Sequence, residues 1–170
     1  ASSDAVIEAV VAKVAEHGGP SAFAMGVISH LSSVPACVLP VARFCAALSG
    51  VPVFVDGAHA PGNIEIDVSS LGAVAYTGNL HKWMYCPKGT AFLWVAPEFQ
   101  KRVVPPVLSG TQIFSEDGPN VAADFEYVGT RDCKPHHSAV CMQIMFDVEF
   151  LCNAFPQQRV YLITLSHQVP

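Results

Sequence analysis

Between Val51 and Val95 the chain sets three short apolar runs, VPVFV, AVAY and TAFLWV, between polar turns rich in glycine. Runs of four to six apolar residues bounded by turn formers read as buried strands. The first strand delivers Asp56 and His59 into its turn, and the second delivers Thr77, Asn79, His81 and Lys82. Upstream, Val6, Val10 and Val14 recur at helical spacing behind Ser3 or Asp4 as a cap, and Gly18-Gly19-Pro20 stops that helix. SAFAMGVISH then predicts a buried strand closing on Ser29 and His30. The turn LSSVPA follows, and a second helix spans Val38 to Leu48 before Gly50. Helices set between apolar strands imply parallel crossovers and an α/β fold.

Further along, Asp67 to Leu71 predicts a helical turn capped by Asp67, and APEFQKRV a short helix starting at Pro97. From Val104 to Thr130 the pattern is irregular, and a loop of that length is usually functional or lies against a partner. A helix is expected to resume near His137 and run through CMQIMFDVEFL. The tail CNAFPQQRVYLITLSHQVP restarts a strand-like apolar run.

Composition narrows the class. Of 170 residues, 51% are hydrophobic and 14% charged, against about 25% charged in an average soluble protein. Such a chain hides much of its surface, in a sheet covered on both faces or against a partner subunit. A formal charge of -5 with only 9 Lys+Arg and no basic run argues against nucleic acid or an anionic membrane as partner. The six cysteines (37, 45, 86, 133, 141 and 152) form no C-x-x-C pair. This points to a reducing compartment, cytoplasmic or organellar, rather than a disulfide framework. No apolar run reaches the 18 or so residues of a membrane span, and the N-terminal stretch lacks the basic start of a secretory signal.

The polar residues of the two turns then carry the chemistry. In an open α/β sheet, ligands bind beyond the carboxyl ends of the strands. An isolated Asp56 would be a turn or cap residue, and an isolated Lys82 a surface charge. Displayed together, they match the two needs of pyridoxal phosphate: a carboxylate that keeps the pyridine nitrogen protonated and a lysine that forms the Schiff base. Trp83, Met84 and Tyr85 beside Lys82 suggest desolvation that favours the uncharged, nucleophilic amine. His30, His59 and His81 could supply three nitrogens to a metal, but no spacing among them matches a zinc motif, so no metal is expected. Thr77, Asn79 and Thr130 are small donors of the kind that hold phosphate. Cys86 has no activating base beside it and reads as structural.

At these residues the sequence resembles the class V aminotransferase family of pyridoxal-phosphate enzymes, in its isopenicillin N epimerase-like and cysteine desulfurase-like branch. VDGAHAPG resembles the strand-end Asp motif, TGNLHKWMYCPKGTAFLWV the cofactor-lysine motif, and YVGTRD a Gly-Thr turn that crosses a dimer interface. VISHLSS resembles a strand-end segment lining the same pocket. The resemblance implies Asp56 as partner of the pyridine nitrogen and His59 as partner of the ring's phenolic oxygen. It implies Lys82 as the Schiff-base lysine, Asn79 and His81 as phosphate ligands, and Gly129 and Thr130 as ligands of a neighbour's phosphate. The implied fold is α/β, a partial large domain of the type I pyridoxal-phosphate fold over residues 1–150, with a mostly parallel sheet and flanking helices. Residues 151–170 form an atypical tail, and the family's upstream half and C-terminal small domain have no counterpart in the sequence. The implied activity is on a small amino acid, in a homodimer. The alternative is a truncated, non-catalytic fragment that associates with a full-length homologue.

Overall fold

The computed structural model describes residues 2–106, 118–126 and 161–164. The chain runs through α1 (Ser3–Glu16), β1 (Gly26–Ser29), a small hairpin of β2 (Leu31–Ser32) and β3 (Cys37–Val38), α2 (Val41–Ala47) and β4 (Val53–Asp56). It continues through β5 (Ala75–Asn79), α3 (Leu80–Trp83), β6 (Thr90–Val95), a 3-10 segment (Pro97–Arg102), α4 (Val121–Glu126) and β7 (Tyr161–Thr164).

The main sheet has the order β1-β4-β5-β6-β7. β1, β4 and β5 pair in parallel, with Ser29, Asp56 and Thr77 in register across them. β6 runs antiparallel to β5, and β7 antiparallel to β6. Four of the five strands therefore point one way, and β6 alone is reversed, so the sheet is mostly parallel as expected. The crossover reading fails at β6. Parallel neighbours need a connection of about a dozen residues or more, and the turn between Asn79 and Thr90 is too short for one.

The core lies on the face that carries Val53, Val55, Tyr76, Phe92 and Trp94. Val41 and Leu48 close it from the α2 side, and Val10 and Val14 of α1 pack against it. Tyr76 is fully buried at its centre.

Element boundaries move for local reasons. Ser2, not Ser3 or Asp4, caps α1, its side chain accepting from the Ala5 N–H at 3.3 Å. α2 begins at Val41 rather than Val38 because Pro40 biases the residue before it to extended backbone, and Cys37–Val38 pairs in the hairpin. Asp67 caps its turn as expected, accepting from Ser69 N at 3.0 Å. The stretch expected to be irregular contains α4. There Asn120 Oδ1 accepts from Ala123 N at 3.3 Å, and Asp124 Oδ2 accepts from Asn120 N at 2.8 Å, a reciprocal cap. The strand-like run of the tail is β7. The helix expected near His137 and the Gly129–Thr130 turn lie outside the described residues.

Candidate active site

Two turns at the ends of adjacent parallel strands build the site. In the first, after β4, the Asp56 carboxylate accepts the Ala58 N–H at 2.9 Å, so the residue does make the turn that its sequence position suggests. Only one carboxylate oxygen is used. The other has no hydrogen-bond partner among the described residues. Gly57 N donates to Thr77 O at 2.8 Å, which extends the β4–β5 ladder into the turn.

Beneath Asp56 lies a pair that the sequence analysis did not assemble. The Tyr76 hydroxyl is 2.9 Å from His30 Nδ1, and His30 N donates to Asp56 O at 2.9 Å. Burial first, and the nearby Asp56 carboxylate second, push the Tyr76 phenol well above its ordinary range, so it stays protonated. Burial holds His30 below the usual imidazole value, which favours the neutral ring.

This pair makes stability pH-dependent. The unfolded chain, with His30 near about 6.5, binds a proton more readily than the folded one. The stabilisation is complete above that value and is lost as pH falls through the lower folded one. Urea midpoints measured from pH about 7.5 down to about 5 are expected to fall. In His30→Gln the slope should flatten; an unchanged slope would assign it to other groups.

In the second turn, after β5, Asn79 sits at the start of α3 without capping it. Its amide has no hydrogen-bond partner among the described residues. The Thr77 hydroxyl donates to Phe92 O at 3.0 Å, so its proton is committed, and the expected phosphate donor at this position is not available. The His81 ring meets Thr90 O at 2.9 Å through Nδ1. A carbonyl only accepts, so Nδ1 carries the proton and Nε2 is left facing outward from that bond. Lys82 Nζ lies 3.2 Å from His59 Nε2, and the Trp83 indole N–H donates to His59 Nδ1 at 3.3 Å.

Close packing locks the two turns together. A Cβ on Gly78 would stand 2.4 Å from the Phe92 ring and 2.7 Å from Pro61 of the first turn. Gly62, at φ +83°, leaves only 3.0 Å between its Cβ position and the Trp83 carbonyl. Backbone of one turn is thus pressed on backbone of the other, and His59 is carried to Lys82.

The expected desolvation of Lys82 is not found. Lys82 is exposed, with Trp83 50% and Tyr85 83% exposed. Its chemical neighbour is His59 rather than an apolar wall. Cys86 is buried, and burial pushes its thiol up, in keeping with a structural role. His30, His59 and His81 each have a different partner, and among the described residues no group of three potential ligands could hold a metal.

The arrangement suits a group with a ring N–H, an anionic phosphate and an amine-reactive carbon. It offers a carboxylate oxygen on one turn and an amide on the other, both unpartnered among the described residues, together with an imidazole nitrogen and a primary amine. The fold is shared with an apo cysteine desulfurase from Thermococcus onnurineus NA1. That structure aligns with a TM-score of 0.67 and 21% identity, over 85% of this chain and 36% of that one.

Residues 22–124 match the family model for aminotransferase class-V, and the chain belongs to that family. Among named relatives, a putative L-cysteine desulfhydrase 1 from Oryza sativa subsp. japonica is 37% identical over 139 residues, covering 78% of this chain and 28% of the relative. An isopenicillin N epimerase from Streptomyces clavuligerus is 36% identical over 120 residues, 63% of this chain and 30% of the relative. The chain therefore spans less than a third of the length of either.

Proposed function

We propose that this chain supplies the cofactor-holding part of a pyridoxal-phosphate enzyme of the isopenicillin N epimerase or cysteine desulfurase/desulfhydrase type, acting on a small amino acid. The observation that carries the reading is the meeting of Lys82 Nζ with His59 at 3.2 Å, beside the strand end that displays Asp56. Lys82 would hold the cofactor as a Schiff base. The free oxygen of Asp56 would accept the pyridine N–H, and His59 would face the phenolic oxygen. The Asn79 amide would donate to the phosphate. His81 could do so only as an imidazolium, because its Nδ1 proton is already given to Thr90 O. The bound cofactor supplies an electron sink for a carbanion at the substrate α-carbon.

The remaining chemistry belongs to the chain. The Lys82 amine would take a proton from the substrate α-carbon and return it. The Asp56 carboxylate would accept the ring N–H, and the buried, hydrogen-bonded Tyr76 and His30 lie beside it. The reading includes a homodimer in which Gly129 and Thr130 reach the neighbour's phosphate.

Titrating the full chain with pyridoxal phosphate tests the reading. A saturable visible absorbance band, removed by hydroxylamine, is expected. Absence of any band at saturating cofactor overturns it.

A further inference from the structure

Trp83, His59 and Lys82 form a line of three groups whose hydrogen-bond polarity can be read from one end. The indole nitrogen of Trp83 is a donor only. At 3.3 Å from it, His59 Nδ1 must therefore be the acceptor and carries no proton. This excludes the imidazolium, which has protons on both nitrogens. The single proton of the neutral ring then sits on Nε2, facing Lys82 Nζ at 3.2 Å.

The opposite tautomer, with Nε2 bare, would place the ring proton on Nδ1 against the indole N–H.

We propose that Trp83 is a positioning residue that fixes His59 as its Nε2–H tautomer and so makes His59 a hydrogen-bond donor on the side of the ring that faces Lys82. The packing that brings the groups together is rigid, since Gly62 leaves no room beside the Trp83 backbone and the Asn63 amide donates to His59 O at 2.8 Å. The same Nε2–H has the polarity that an anionic phenolic oxygen requires. The consequence for catalysis rests on the function proposed above, but the tautomer itself needs no cofactor.

The experiment uses the full chain with 15N-labelled histidine and no cofactor. Long-range 1H–15N correlation spectra, with His59 assigned by its loss in His59→Gln, report which ring nitrogen is protonated. The expected wild-type pattern is a protonated Nε2 and a bare Nδ1; a protonated Nδ1 overturns the proposal whatever the variants do. In Trp83→Phe, the two tautomers should mix. An unchanged spectrum in that variant would also overturn it. If pyridoxal phosphate fails to bind while the wild-type tautomer is found, the function is wrong and the tautomer assignment stands.

Discussion

Replacing Lys82 by alanine is expected to abolish covalent attachment of pyridoxal phosphate. Borohydride reduction of the wild-type chain with cofactor, followed by peptide mapping, should place the label on Lys82 alone. The competing lysines are badly placed. Lys88 is exposed in the turn before β6, with no hydrogen bond or ion pair among the described residues. Lys101 belongs to the 3-10 segment that follows β6. Because β6 is reversed, its end at Val95 pairs with Ala75 at the start of β5, so Lys101 lies at the other end of the sheet from Asp56. In the intact enzyme, the roles proposed for Lys82, holding cofactor and moving the α-proton, put the expected loss at about 10^4-fold or more in turnover, the upper range for a single acid–base group. Label on Lys88 or Lys101 would place the site elsewhere.

The second large effect is structural. Gly57→Ala is expected to cost about 3 kcal/mol, the upper end of what an overpacked core usually loses. A Cβ there would stand 2.2 Å from Cε1, Cζ and the hydroxyl oxygen of Tyr76. The ring cannot retreat, because it is fully buried and stacked on Phe92 at 5.9 Å with planes 3° apart. Gly26→Ala is the internal control. Its Cβ would make an ordinary 3.6 Å contact with Val51, so it should stay within about 0.5 kcal/mol of wild type. Urea unfolding measures both, and equal midpoints for the two variants would show that the ring has room to move.

These expectations show how much of the site could be read before the fold was known. β4, β5 and their turns were legible because apolar runs ending in Asp-Gly or Thr-Gly-Asn leave little else to form. The direction of β6 was not, since an apolar run carries no sense of direction. The short connection before it was the available signal. The His30–Tyr76 bond joins residues 46 positions apart, and Tyr76 was hidden as the last member of an apolar run. Apolar flanks misled at Lys82 because successive side chains on a helix fan out by about 100°. Trp83 is 50% exposed, and Tyr85, beyond the end of α3 at φ +55°, is 83% exposed, so neither closes over the amine. α4 was missed because its cap spans Asn120 to Asp124, with no long apolar stripe to announce it.

The reversed β6 also bears on the order in which contacts can close as the chain folds. Only 10 residues separate β5 from β6, against 18 between β4 and β5 and 23 between β1 and β4. Closing the longest of these loops costs about 0.7 kcal/mol more than closing the shortest, from chain entropy alone. The antiparallel pair that holds the lysine turn is thus the most local element of the sheet and the natural first piece to form. On this measure the parallel strand bearing the carboxylate is expected to join a lysine-carrying hairpin already in register, with the short connection supplying the template on which the acidic half of the site assembles.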